Sequence, residues 1–288
     1  MTLTEATTRT LEAPGATLTY DVRPGGTGDA LFLIGSPMGA TGFATLASHF
    51  PDRTVITYDP RGAERSQKAD PTRPSTPDDH GDDLHRIIQD IGEAVDLFAS
   101  SGGAVNALAL VATHPEDVRV LVAHEPPLAS VLPDAEIARA AVRAIQDTYQ
   151  LRGWGAGMAH FMAVTGHRGP FPDDYASRAA PDPAMFGLPT EDNGDRTDVM
   201  LGQNLIGTTH YEPDLAALQA APTRIVVAAG AESEGEMANR GAHGLAASLS
   251  REPVIFPSHH GGFLGGEYGW RGDPDAFAAR LRQVLAEA

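Results

Sequence analysis

Apolar residues along the chain fall into short runs separated by polar stretches punctuated with glycine and proline. Eight runs rich in β-branched or apolar residues predict strands: Thr8–Glu12, Thr17–Arg23, Ala30–Gly35, Thr54–Asp59, Ala94–Ala99, Val118–His124, Thr223–Ala229 and Pro253–Pro257. The first two flank Pro14-Gly15 and predict an antiparallel hairpin at a sheet edge. The later runs are continuously apolar, as in strands covered on both faces. Helical patterns lie between them. Ala104–Thr113 is small and apolar, suited to packing closely on a sheet. The clearest helix is the last: Asp273 can cap it, Pro274 suits its first turn, and Phe277, Leu281, Val284 and Leu285 form one stripe. Alternating strands and helices predict an α/β chain with a mostly parallel sheet.

One stretch breaks this alternation. Between about Pro126 and Leu218 no strand pattern is evident. It opens with a helix from about Asp134, whose Ile137, Ala141, Val142 and Ile145 share a face. It continues through Gly/Pro-punctuated pieces carrying Trp154, Met158, Phe161, Met162, Met185, Phe186 and Met200. Four of the seven methionines lie here, consistent with an ordinary helical core and also with an adaptable apolar wall over a ligand site.

Composition narrows the chemistry. The chain has 288 residues, 42% of them hydrophobic, enough for one large domain or a domain carrying an insertion. Its net charge of −17, without a local basic run, makes nucleic acid and anionic membranes poor partners. There is no cysteine, which excludes disulfides, thiolate nucleophiles and Cys-ligated metal centres. Lys68 is the only lysine and sits in a polar stretch, an unpromising basis for Schiff-base chemistry. The first ten residues hold no apolar leader and no run is long enough to span a membrane, so a soluble cytoplasmic protein is expected.

The strongest chemical signal is Ala99-Ser100-Ser101-Gly102-Gly103, where an apolar strand runs into a helix. A serine at such an elbow is pushed out at the sheet's C-terminal edge, beside a helix N-terminus that favours an oxyanion. Strand and helix nearly collide there, so positions two before and two after must be small. Ala99 and Gly103 meet that need for Ser101, whereas Ser100 would place Phe98 at the crowded position. The turn lacks a P-loop lysine and the G-x-G-x-x-G pattern of phosphate cradles.

With this motif the chain resembles the α/β-hydrolase superfamily over nearly its whole length. Leu31-Phe-Leu-Ile-Gly-Ser-Pro-Met-Gly39 is similar to the family's His-Gly-x-Pro segment, and Tyr58-Asp-Pro-Arg-Gly-Ala-Glu-Arg-Ser66 to its Asp-x-Arg-Gly-x-Gly-x-Ser loop. Ile34 stands where the family has His, Ala99 at the first elbow glycine and Glu64 at the second loop glycine. The resemblance implies an eight-stranded sheet, a core of residues 1–125 and 213–288, and a helical cap of residues 126–212 inserted after the sixth strand. It implies a serine nucleophile, Ser101, with an oxyanion hole from the N–H groups of Gly102 and Ser36; Pro37 cannot donate.

The family order is serine, acid, histidine, with the histidine after the last strand. Val254-Ile-Phe-Pro-Ser-His-His-Gly-Gly-Phe263 supplies two adjacent histidines. His260 is preferred because it heads a Gly-Gly turn, with His259 as the alternative. No H-E-x-x-H or carboxylate cluster supports a metal reading of the pair. For the acid, many relatives use the third residue after the glycine ending the seventh strand. Here that glycine is Gly230 and the third residue is Ser233, with Glu232 one position off and Glu234 nearby. The rival is Glu125, at the tip of Val118–His124 and stiffened by Pro126-Pro127, a placement resembling relatives such as haloalkane dehalogenases. Glu125 is the first choice and Glu232 the alternative.

The expected activity is hydrolysis of an ester or lactone in a largely apolar small molecule, without cofactor or metal. Peroxyacid formation and C–C bond hydrolysis use the same triad, and a non-catalytic small-molecule-binding protein of the same fold is the rival of a different class. Arg61 and Arg65 read as loop tethers, the Asp78–Asp83 cluster as an acidic helix start, and Tyr268 and Trp270 as residues able to line an entrance. The sequence leaves the oligomeric state open.

Overall fold

Alternating apolar faces put both sides of one sheet under cover. The computed structural model describes residues 5–287. Its strands are β1 Thr7–Ala13, β2 Ala16–Arg23, β3 Gly28–Ile34, β4 Arg53–Asp59, β5 Gln67–Lys68, β6 Val95–Ser100, β7 Val118–His124, β8 Arg224–Gly230 and β9 Val254–Phe256. Its α-helices are α1 Ala44–Ser48, α2 Pro77–Ile91, α3 Gly102–Thr113, α4 Ala135–Thr165, α5 Leu205–Thr209, α6 Leu215–Ala220, α7 Met237–Ser248 and α8 Pro274–Ala286. The strand order is β1-β2-β4-β3-β6-β7-β8-β9, with β5 added on β2. β1 and β2 form the expected antiparallel hairpin, turning at Gly15 with φ +73. β2 runs antiparallel to β4, and every pair from β4 to β9 is parallel.

All eight expected strands are present, their ends shifted by two residues or fewer. The ninth, β5, has only two residues and therefore no period that a sequence could reveal. Along the central strands, Phe32, Ile34, Leu97, Ala99, Leu121 and Ala123 face α2, α3 and α7. Their neighbours Leu31, Leu33, Phe98, Val120 and Val122 face α1 and α8. This double burial is why the strands read as unbroken apolar runs.

The helix ends follow local chemistry. Asp273 accepts the Ala276 N–H at 3.1 Å, and the four stripe residues of α8 are buried. α2 opens with a capping box: Thr76 Oγ1 accepts the Asp79 N–H at 3.1 Å, and the Asp79 carboxylate accepts the Thr76 N–H at 3.0 Å.

Between β7 and β8 the structure has helices and tight turns but no strand among the described residues. α4 is longer than its apolar pattern suggests, because Trp154, Met158, Phe161 and Met162 belong to it rather than to separate pieces. Only Gly153, at φ +84, breaks its backbone. Gly155 and Gly157 instead permit close approach: a Cβ at Gly155 would lie 1.8 Å from Pro189 O, and one at Gly157 2.7 Å from Tyr149 Cβ. Ala138, Ala141, Val142, Ile145 and Tyr149 form a core of their own with Leu201 and Leu205. No helix among the described residues is long and apolar enough to cross a membrane.

Candidate active site

Six parallel strands end along one edge of the sheet, and the residues singled out for chemistry follow five of them. Ser36 comes after β3, Ser101 after β6, Glu125 after β7, Glu232 after β8 and His260 after β9.

At the elbow after β6, Ser101 has φ +57 and ψ −126, a conformation that side-chain-bearing residues rarely adopt. Its N–H donates to His124 O at 2.9 Å, fixing the turn to the end of β7. The glycines that follow are needed because β3 continues alongside. A Cβ at Gly103 would lie 2.8 Å from Gly35 Cα, and one at Gly102 2.6 Å from Ser36 O. The Ser36 and Gly102 backbones are therefore in contact beside Ser101. The first N–H groups of α3 have no partner within the helix, so its positive end points at this corner. Ser100 is engaged elsewhere: it is buried and its hydroxyl pairs with His124 Nδ1 at 3.1 Å.

Glu125 is fully buried, at φ +48. Its Oε1 accepts from Gly230 N at 2.8 Å, from Asn239 Nδ2 at 3.0 Å and from the Ser233 hydroxyl. Its Oε2 faces His260 Nδ1 at 2.6 Å. Burial alone would raise the pKa of this carboxyl. The hydrogen bond to His260, the nearby His124 and His260 rings and the Ser233 hydroxyl outweigh it and hold the group far below its ordinary range. For His260, burial works against the imidazolium, but the hydrogen bond and charge of Glu125, helped by Glu236, raise its pKa above 6.5. With Nδ1–H donating to Glu125, Nε2 is the nitrogen left free to accept a proton. Ser101 Oγ has no side-chain hydrogen bond among the described residues; such a contact commonly tightens only when substrate is bound.

Adjacent His259 is differently engaged. Its Nδ1 accepts the Gly261 N–H at 3.0 Å, which leaves Nε2–H to donate to Arg271 O at 3.1 Å. Glu232 is exposed, and its carbonyl is held by Arg168. Thus Glu125, and neither Glu232 nor Glu234, is the carboxylate paired with His260. Ser233, at the position where many relatives carry the acid, donates its hydroxyl to Glu125 instead.

Sequence reasoning missed three neighbours. Asn239 lies on α7, and nothing in a single sequence marks it. Ser233 was recognised only as unable to be a carboxylate. His124 is buried, its ring centre 6.0 Å from that of His260, and burial pushes its pKa down to about 4, so it stays neutral near pH 7. Arg61 and Arg65 are tethers, as expected: Arg61 grips buried Asp83 at 2.6 Å, and Arg65 binds Asp59 and Asp21.

Ser101, Gly102, Ser36 and His260 line one cavity of ≈ 730 Å³. Its far wall is apolar, with Val142, Ile145, Phe161, Met162, Met200 and Leu205, all from the stretch between β7 and β8. Tyr268 and Trp270 line it while remaining 58% exposed, which puts them at its mouth. No group of three or more His, Cys, Asp or Glu side chains among the described residues is arranged to hold a metal ion.

Sheet order, elbow and strand-end site together define the α/β-hydrolase fold, and the chain belongs to that family. The family model for the alpha/beta hydrolase fold matches residues 25–152. The chain is 31% identical over 257 residues to the uncharacterized hydrolase YraK of Bacillus subtilis (strain 168), covering 88% of this chain and 89% of that protein. Among solved structures, a thermophilic esterase from Thermogutta terrifontis superimposes with a TM-score of 0.65 at 17% identity, over 98% of each chain. The N-acyl homoserine lactonase AidH gives 0.63 at 16% identity, over 98% of this chain and 97% of that one. At such identities these two structures speak for the fold alone.

Proposed function

We propose that the protein is a cofactor-independent serine hydrolase that cleaves an ester or lactone bond in a largely apolar small molecule. The observation that carries this reading is the strained Ser101 elbow sharing a cavity with a histidine whose Nδ1 is bound to a buried carboxylate. Ser101 Oγ attacks the acyl carbonyl while His260 Nε2 takes its proton. Glu125 fixes the His260 tautomer and steadies the imidazolium. The N–H groups of Gly102 and Ser36 receive the oxyanion, a contribution of about 3 kcal/mol per donor. His260 then protonates the leaving oxygen, and water activated by the same imidazole releases the acid from Ser101.

The apolar wall supports a substrate with an apolar body, and on this reading residues 126–212 act as a cap over the core of residues 1–125 and 213–288. Dehalogenases and epoxide hydrolases of this fold use Asp at the elbow, so serine at position 101 favours acyl chemistry. The test is Ser101→Ala. It is expected to abolish both p-nitrophenyl butyrate hydrolysis and covalent labelling by a fluorophosphonate, with an unchanged circular dichroism spectrum. Persistent turnover in that variant overturns the assignment of the nucleophile.

A further inference from the structure

Six non-glycine residues among those described have positive φ. Ser101 and Glu125 belong to the site above. Two of the others, Glu64 at φ +45 and Tyr268 at φ +55, lie 204 positions apart and are hydrogen-bonded to each other. Glycine is the residue such a backbone favours. At position 64 the chain keeps a glutamate there, and what the glutamate adds is its carboxylate.

That carboxylate reaches the cavity mouth. Tyr268 Oη donates to Glu64 Oε1 at 2.7 Å, and Thr41 Oγ1 donates to the same oxygen at 2.9 Å. The two hydroxyls are themselves 2.8 Å apart. Burial, and next to it the Glu64 carboxylate, raise the pKa of Tyr268, so its hydroxyl remains a donor at neutral pH. Its ring rests on Gly42, where an added Cβ would come within 3.1 Å of Tyr268 Cε2. The surrounding loop is fixed by other means. Gly265 bridges to Arg271, and Glu267 accepts from Thr45 N at 2.8 Å and Gly265 N at 2.6 Å. Glu64 therefore governs the tyrosine ring rather than the course of the loop. Exposed hydrogen bonds are weak one at a time, but two hydroxyls gathered on one carboxylate and a ring seated on glycine together hold it in this orientation.

We propose that Glu64 is a positioning residue that clamps Tyr268 across the mouth of the Ser101 cavity and so limits the bulk of the esters admitted. The selectivity part rests on the serine-hydrolase reading; the clamp does not. Two measurements separate them. The first compares kcat/KM for p-nitrophenyl cyclohexanecarboxylate with that for p-nitrophenyl acetate. Glu64→Gly is expected to raise this ratio about fivefold, mainly through KM. Glu64→Gln keeps a carbonyl acceptor and stays near wild type, while Tyr268→Phe moves the ratio as Glu64→Gly does. The second is acrylamide quenching of Trp270 fluorescence in a Trp154→Phe background, which rises in Glu64→Gly because the neighbouring ring is released. Glycine suits the backbone at position 64, so the melting temperature holds or increases.

A bulky-to-small ratio within about twofold of wild type in both Glu64→Gly and Tyr268→Phe overturns the proposal. If wild-type Ser101 neither turns over esters nor takes the fluorophosphonate, the hydrolase reading fails. The clamp is then decided by quenching alone, and an unchanged quenching constant overturns it.

Discussion

The floor and the far wall of the cavity are built by opposite means. On the floor each reacting group follows a strand, and its polar neighbours are specified one by one: three donors meet Glu125 Oε1, one imidazole meets Oε2, and two backbones touch beside Ser101. Two residues there have positive φ, held by hydrogen bonds from the elbow to β7 and from Glu125 N to Ala228 O. The wall between β7 and β8 is mostly apolar, its polar lining confined to residues such as Arg168, which grips Glu232 O, Glu234 O and Glu236, and Asn204, which meets His80. Val142, Ile145, Phe161, Met162 and Met200 cover it with apolar surface carried on a helix broken at Gly153 and on a π-turn over Val199–Asn204. The contrast suits the reading proposed above: bond breaking needs atoms fixed to fractions of an ångström, whereas accepting an apolar body needs area and adaptability.

The largest effect that could break this comparison concerns Glu125. If the floor depends on its one buried carboxylate, Glu125→Gln lowers kcat by about 10³–10⁴, whereas Glu232→Gln stays within about twofold. The pH profile adds a signed test. His260 must be neutral to act as base, and its pKa is raised above 6.5 by Glu125 against the effect of burial. Wild-type kcat/KM therefore climbs with pH through a midpoint above 6.5 and is lost on the acid side. In Glu125→Gln the main raising cause is gone, while burial and the smaller effect of Glu236 remain, so the midpoint of the residual activity moves to lower pH. p-Nitrophenyl butyrate hydrolysis between pH 5 and 9 checks both, and the opposite ranking of the two glutamates transfers the acid role to Glu232.

The same contrast explains how much of the molecule could be read in advance. Strands buried on both faces declare themselves as apolar runs, and a serine elbow declares itself through the small residues that crowding demands. β5 could not be read because two residues have no period. The second half of α4 was hidden by glycines that serve close packing against Pro189 and Tyr149, not chain breaks. Ser233 and Asn239 escaped for another reason: a polar residue earns its role at Glu125 only through tertiary proximity, 108 and 114 positions away along the chain. Glu64 was legible as a departure from a glycine pattern and Tyr268 as a residue able to line an entrance, but their pairing across 204 positions was not.

A smaller effect sharpens the account of the floor. Ser233→Ala and Asn239→Leu each remove one of the three donors on Glu125 Oε1 while leaving the carboxylate in place. Each is expected to lower kcat about tenfold, the scale of one hydrogen bond to a charged group, with little change in KM. A purely structural role would lower the melting temperature and leave the kcat of the folded protein intact. Activity measured well below the melting transition separates the two.

The smallest expected effect belongs to the wall, and it tests whether the comparison is real. Met162 lines the cavity at a helix position that is 39% exposed, so truncation there removes apolar surface without opening the packed core around Ala141 and Ile145. Partial burial of a few methylene-sized groups contributes about 0.8 kcal/mol per group at most, which sets the scale. Met162→Ala is therefore expected to lower the preference for p-nitrophenyl octanoate over butyrate by about threefold to tenfold, carried by KM. A wall that only covers substrate shifts that preference and leaves the pH midpoint set by His260 unmoved, because nothing on α4 hydrogen-bonds to Glu125 or His260 among the described residues. A shift of the midpoint with no change in chain-length preference would instead tie the wall to the chemistry and erase the division between the two regions.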